Sequence, residues 1–265
     1  MRASYRRVSL GAAGLAAAFG LAELVVWGGR VDPALFPLPS TVLGQAVSLA
    51  TNSAFVAAVG STMVAWAEAM AVTVAIAVPA GAVLGMLPRV ESALRPVIEF
   101  LRPLPSVVLV PLVLLIVQDD VGTEVVVIVF AAVWPVLINT VYGLREVDPE
   151  AKETLRSFGF GPLAVTWRVS LPSAAPFIAT GIRIAASLAF VVAIAVELVG
   201  VGMNGLGAFA GQAQSGTDAV PVMIAVAIWA GIIGLAINAV FVGAERRAFR
   251  WHHVLSMTAL SGART

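Results

Sequence analysis

Residues 121–141, VGTEVVVIVFAAVWPVLINTV, decide the fold, because they form a long apolar run in which Glu124 is the only ionisable side chain. A bilayer core about 30 Å thick needs roughly 20 apolar residues in a helix that rises about 1.5 Å per residue and pairs every backbone polar group within itself. This run meets that requirement. Further candidate spans lie at 8–27, within 62–87, within 104–117, at 177–198 and at 220–243. The whole chain agrees: of 265 residues 60% are hydrophobic and 12% charged, with a mean hydropathy of +0.97, against about half apolar and a quarter charged in an ordinary soluble domain. The expectation is an all-α polytopic membrane protein with about six transmembrane helices. It forms a single domain over 1–265, with an N-terminal span at 8–27 and a core at 54–250.

The charges exclude other classes and set an orientation. A net charge of +1, with basic residues scattered in short clusters, gives no surface for nucleic acid. The absence of cysteine removes a disulfide framework, a thiol nucleophile and a cysteine metal site. Lysine and arginine stay on the cytoplasmic side. In a six-span arrangement Arg2, Arg6 and Arg7, then Arg89, Arg95 and Arg102, then Arg145, Lys152, Arg156 and Arg168, then Arg246, Arg247, Arg250 and Arg264 all fall on one side. The other side carries Arg30 beside Asp32, Asp119, Asp120, Glu124 and Asp218. Both termini are therefore expected in the cytoplasm. The first span has an alternative identity as a cleaved signal peptide, with Arg2, Arg6 and Arg7 before an apolar run and Ala16-Ala17-Ala18; the run continues to Trp27, which favours an uncleaved anchor. Residues 32–50, with Pro33, Pro37 and Pro39 and the start signal Ser40-Thr41, predict an external loop leading into a short interfacial helix.

Between the fourth and fifth spans, residues 145–172 are too polar for lipid and too patterned for a linker. Asp148-Pro149-Glu150 supplies a helix cap, a proline at the first helical position and an acid in the first turn. Gly159 and Gly161-Pro162 break that helix, and a second short helix is predicted over 163–169, ending at Leu171-Pro172. Such a cytoplasmic helical hairpin is a compact knob suited to a groove on another protein.

Glu153-Thr154-Leu155-Arg156-Ser157-Phe158-Gly159, nine residues, then Val169-Ser170-Leu171-Pro172 resembles the EAA motif of bacterial ABC importer permeases. Its spacing is kept throughout, while Thr154 and Leu155 replace two alanines and Val169 an isoleucine. Leu101-Arg102-Pro103-Leu104-Pro105, Val110-Pro111-Leu112, Ile138-Asn139-Thr140 and Gly202-Met203-Asn204-Gly205-Leu206-Gly207 are similar to the nitrate, sulfonate, taurine and bicarbonate branch. The likeness covers roughly residues 35 to 253. Departures are Gln118-Asp119-Asp120 at the end of the third span and Glu68 where the branch has an arginine and glycines. The resemblance implies a type I ABC importer (MetI-like) permease fold in a bacterial inner membrane, with partner ATPase subunits that hold ATP and magnesium. It also implies a second permease copy or paralogue and an extracytoplasmic solute-binding protein. No cofactor is expected in this chain, which has no G-x-x-x-x-G-K-[ST] phosphate loop.

On that resemblance Glu153, Thr154, Leu155, Arg156, Gly159, Leu171 and Pro172 form the ATPase-coupling loop. Glu153 reads either as a contact at the ATPase groove or as a solvated acid paired with an arginine; Arg156 and Arg168 either meet acids of the partner or face water. Glu197, an acid inside a span, is a functional candidate because buried charge costs about 2.5–3.5 kcal/mol on insertion scales. Its alternative is a helix-end acid reaching interfacial water or pairing with a neighbour. Asn139, Gln118 and Asn204 are candidates for the translocation path, with interhelical hydrogen bonding as the plainer role for Asn139 and Gln118. Glu68 and Glu23 are weaker candidates. Pro79 and Pro135 should bend their helices. His252 and His253 lack a chelating constellation, and no metal site is expected. The rival classes are an ion-gradient-driven transporter, which would call for inverted repeats and paired intramembrane acids, and a non-transporting membrane scaffold or sensor that keeps the hairpin.

Overall fold

The computed structural model describes residues 2–29, 36–202, 204–216 and 218–249, the side chains of 2–9, 12 and 15 excepted. Arg30, Asp32, Met203, Arg250, His252, His253 and Arg264 lie outside the described residues. Those described are helical or in turns. Four helices are long and apolar enough to cross a membrane: α3 (Ser53–Met86), α6 (Asp120–Arg145), the continuous helix Pro162–Leu198, and α11 (Ala219–Ala248). The expected first span falls in α1 (Arg2–Trp27), of which Ala16–Trp27 is an apolar helix.

The third expected span is corrected. Residues 88–117 form the amphipathic helix α4 (Pro88–Leu101) and then a 3-10 turn, Ser106–Leu109, leading into α5 (Val110–Val117), with a bend of 87° between the two halves. Pro103 and Pro105 lie in the break, where missing donors and crowded preceding residues prevent a straight helix. Residues 106–117 span about 18 Å at about 1.5 Å each, too short to cross alone. Only as a bent pair with α4 do they make a fifth crossing.

The core is α6, sandwiched between α3 and α9 (Leu171–Leu198). Lipid gives no hydrophobic drive between helices, so close backbone approach has to supply the contact. Glycines allow it here. A Cβ on Gly81 would sit 2.7 Å from Thr140 Cβ, one on Gly85 2.9 Å from Leu144 Cδ1, and one on Gly143 2.8 Å from Phe177 Cβ. Small residues of α9, Ala185, Ala186, Ala189 and Ala193, are wholly buried in the same seam. The indole of Trp66 donates to Ala186 O at 2.9 Å, tying α3 to α9. Both α3 and α6 run unbroken through Pro79 and Pro135.

The interfacial helix expected after the external loop is α2 (Pro39–Leu49). Its start is capped from a distance: Glu23 of α1 accepts from Ser40 N at 3.1 Å and from Ser40 Oγ at 2.7 Å. Glu23 is thereby a structural cap. Trp229 of α11 donates to Ala46 O at 2.8 Å and packs tilted against Phe55, which also meets Phe209 edge-on. Elsewhere α11 is open, with Ile232, Leu235 and Val240 exposed, a face for lipid or for another subunit rather than for water.

Candidate functional site

Most of the sequence-predicted residues lie in two groups at opposite ends of the bundle, the hairpin at one and Glu197 at the other. At the first end, Asp148 accepts from Glu150 N at 2.9 Å and Pro149 opens α7 (Pro149–Ser157). The helix stops in a Schellman turn: Gly159 N donates to Arg156 O at 2.9 Å, Phe160 N donates to Leu155 O at 3.2 Å, and Gly159 has φ +81°. Only glycine adopts that φ without steric cost.

The second arm differs from the expectation. Helix α8 (Pro162–Val165) does not end at Leu171-Pro172; it passes through a π-turn, Thr166–Ser170, directly into α9. Proline removes a donor and crowds the carbonyl four residues earlier, and a widened turn accommodates both without ending the helix. The hairpin's second arm is thus the first part of a 37-residue helix, Pro162–Leu198.

The hairpin is fixed to the bundle. Lys152 Nζ donates to Leu144 O at 3.2 Å, Thr166 Oγ1 contacts Met86 Sδ at 3.1 Å, and Arg145 pairs with Glu91 of α4 at 3.1 Å. Glu153, Thr154, Arg156, Gly159 and Pro172 are exposed, while Leu155 and Leu171 are half-buried. Among the described residues Glu153 and Arg156 make no ion pair, and the Arg168 guanidinium lies 4.9 Å from the centre of the Phe160 ring. The structure adds residues that were not picked out from sequence: Phe158 (78% exposed), Leu163 (74%) and Trp167 (71%) stand out from the hairpin. Large apolar side chains within a charged loop were the available signal.

At the other end Glu197 is only 2% exposed. Its Oε1 accepts from Thr62 Oγ1 at 2.7 Å and its Oε2 from Gly207 N at 2.7 Å, while Thr62 Oγ1 accepts from Leu206 N at 2.8 Å. One carboxyl therefore clasps α3, α9 and the start of α10 (Leu206–Ala213). A Cβ on Gly205 would overlap the Glu197 carboxyl, and one on Gly207 would overlap the Ile194 carbonyl. Both positions therefore require glycine for this close approach. Glu124, at the start of α6, lies beside Glu197. Asn204, Ser61, Glu68 and Glu124 line a cavity of about 350 Å³ there.

The remaining candidates are dispersed. Asn139 donates to Pro135 O of its own helix at 2.8 Å and lines a cavity of about 570 Å³ with Thr180, Arg183 and Glu245. Arg183 Nε meets Glu245 Oε1 at 3.1 Å across that cavity, joining α9 to α11. Gln118 lines neither cavity. It is exposed and closes α5 in the left-handed region with φ +54°, its N–H donating to Leu114 O at 2.9 Å.

Residues 76–250 match the family described as binding-protein-dependent transport system inner membrane component. The bicarbonate transport system permease protein CmpB of a Synechocystis species is 30% identical over 172 residues, 65% of this chain and 61% of that protein. The nitrate import permease protein NrtB of Leptolyngbya laminosa is 31% identical, over 65% of this chain and 62% of that protein. This chain thus spans about three fifths of the length of those two relatives. A probable ABC transporter permease protein of Brucella melitensis is 28% identical over 82% of this chain and 87% of its own length. In fold the chain is similar to the solved inward-facing methionine ABC transporter MetNI, with a TM-score of 0.62 and 20% identity, over 72% of this chain and 94% of that one.

Proposed function

The chain belongs to the family of binding-protein-dependent transport system inner membrane components, and from that premise we propose that it is the permease subunit of an ATP-binding-cassette importer for a small solute. The observation that carries this is the triad Phe158, Leu163 and Trp167, held out on a hairpin that is capped, pinned to the bundle and continuous with a membrane-crossing helix. Exposed apolar side chains rimmed by charge mark a protein contact, and an interface core takes aromatic anchors of this kind.

In this reading the triad enters a groove on the ATPase subunit. Glu153 and Arg156 stand at its polar rim, Thr154 and Leu155 complete that face of α7, and Gly159 sets the turn. Leu171 and Pro172 join the docking arm to the span. ATP and magnesium belong to the ATPase, and this chain carries out no chemistry. When the ATPase pair closes, movement of the hairpin is movement of Pro162–Leu198, about 55 Å long at about 1.5 Å per residue, so displacement at the inner face reaches the Glu197 clasp.

The open face of α11 and the exposed side of α5 fit a second permease copy and lipid, and the outer loop with Asn204 faces a solute-binding protein. The location is a bacterial cytoplasmic membrane, with both termini on the ATPase side. Co-expression with the ATPase of the same operon and purification in mild detergent tests the reading. Stable co-purification that is lost in the double variant Phe158→Ser, Trp167→Ser is expected. An ATPase that never associates, or one that associates equally well with the double variant, contradicts it.

A further inference from the structure

The root of the hairpin encloses a cavity of about 370 Å³, between the end of α3, the end of α6 and the π-turn that joins α8 to α9. Leu144 and Val165 give it apolar walls, and Lys152 and Arg156, one turn apart on α7, give it two cations. No aspartate or glutamate is among the described residues that line it.

Neither cation is neutralised by the chain itself. Arg145, Arg183 and Arg95 hold Glu91, Glu245 and Glu99, whereas Lys152 and Arg156 make no ion pair among the described residues. Lys152 is half-buried, and its ammonium has a single partner, Leu144 O at 3.2 Å, which leaves further N–H donors unused.

A second, independent feature opens on the same space. Ser170 is 6% exposed and lines the cavity, and its hydroxyl makes no hydrogen bond among the described residues. A hydroxyl inside a helix can return to the carbonyl four residues back, as Thr166 does to Pro162 O at 3.0 Å and Ser157 to Glu153 O at 3.1 Å. Ser170, at the end of the π-turn Thr166–Ser170, does not. Such widened turns inside helices recur at functional sites. A buried hydroxyl without a partner is costly, and a bound acceptor removes the cost.

Two cations, a free hydroxyl and no acid describe a site for an anion with several acceptor oxygens, and a phosphate group meets that description. The surroundings narrow its source. Val83, Met86 and Leu87, which also line the cavity, are 46%, 41% and 49% exposed and form an apolar strip at the end of a membrane-crossing helix. A soluble anion leaves that strip bare, whereas an acyl chain covers it. Basic pockets between helices at a membrane interface take phospholipid heads. Going beyond the permease reading, we infer that this cavity binds an anionic phospholipid, its phosphate held by Lys152 Nζ and Ser170 Oγ, with Arg156 at the mouth and the acyl chains along the strip at the end of α3. The lipid ties α7 to the foot of α3 and braces the hairpin against the spans.

The full chain, purified in detergent both alone and with its ATPase, tests this. Native mass spectrometry follows titration with phosphatidylglycerol, with phosphatidylcholine of the same acyl chains, whose choline cation opposes the two basic side chains, and with inorganic phosphate. Phosphatidylglycerol held about tenfold more tightly than phosphatidylcholine in both preparations is expected, weakened about tenfold in Lys152→Gln and severalfold in Ser170→Ala, and unchanged in the surface variant Arg95→Gln. Ser170→Ala removes only a hydroxyl, so it keeps the test open if Lys152→Gln disturbs the hairpin. Equal retention of the two lipids, or phosphatidylglycerol affinity that is unchanged in either cavity variant or weakened as much in Arg95→Gln, overturns the inference. Inorganic phosphate bound as tightly as phosphatidylglycerol overturns it in favour of a soluble anion, and lipid binding that vanishes when the ATPase assembles overturns it in favour of an acidic side chain of that partner. An ATPase that never associates defeats the permease reading alone, and the titration of the isolated chain then decides the lipid site.

Discussion

The helix Pro162–Leu198 ends in two opposite ways. At the hairpin end, inner in the proposed orientation, Leu163 and Trp167 are exposed, as is Phe158 beside them. At its outer end both oxygens of Glu197 are filled by the same chain, by a hydroxyl of α3 and an amide of α10. One end leaves large apolar side chains uncovered and the other satisfies its polar groups within its own fold. Substitutions at the inner end should therefore cost coupling without cost to folding, and those at the outer end should cost folding first.

The largest effect is expected at the outer end. Glu197→Ala removes two hydrogen bonds to a carboxyl, leaving the buried Gly207 N unpaired and Thr62 Oγ1 with Ala58 O alone, at a cost of about 3 kcal/mol; a large fall in thermal unfolding temperature in detergent is the readout, and Glu197→Gln should recover part of it. If Glu197→Ala unfolds like the parent, the clasp is not what holds that end. Next is Gly159→Val, which forces a β-branched residue to φ +81° at a cost of about 2 kcal/mol. That cost should be local, seen as faster proteolysis at the hairpin and weaker ATPase association while the spans unfold unchanged. Then comes Phe158→Ser with Trp167→Ser. It should leave unfolding within about 0.5 kcal/mol of the parent but lower transport-coupled ATPase activity about tenfold, equal to about 1.4 kcal/mol. A matching fall in unfolding temperature would erase the contrast between the ends. The smallest is Lys152→Met, which removes one hydrogen bond to Leu144 O worth about 1 kcal/mol and should loosen the hairpin, measured as faster amide exchange over α7.

The same contrast explains what was legible in the sequence. The inner end is built from local signals: Asp148, Pro149 and Gly159 each dictate a cap, a start or a turn within a few residues, and the structure has all three where the sequence implies them. The outer end is built from Thr62, Glu124, Glu197 and Gly207, brought together by helix packing, with Thr62 reaching across 135 positions to Glu197 and 144 to Leu206. A lone threonine among apolar residues announces nothing. Glu197 could be singled out for its position in a span, but its partners could not be found before α3 and α9 were side by side.

Prolines act in opposite ways at two places. Leu171-Pro172 reads as a helix end, yet a π-turn absorbs the missing donor and the helix continues. Pro103 and Pro105 do break the chain, and their effect is to bend α4 against α5 through 87° rather than to open a straight third span. Whether a proline ends, bends or is absorbed depends on neighbouring helices that a single sequence does not display.

That the hairpin and the clasp lie on opposite faces of the membrane is tested most directly by single-cysteine mapping, for which a chain without cysteine is well suited. Phe158→Cys and Asn204→Cys, each introduced alone, are exposed to a membrane-impermeant maleimide in intact spheroplasts and after permeabilisation. Residue 204 should label from outside, and residue 158 only after permeabilisation, with protection when the ATPase is bound. Labelling of residue 158 in intact spheroplasts would put the hairpin on the wrong face and contradict the coupling of this helix to an ATPase.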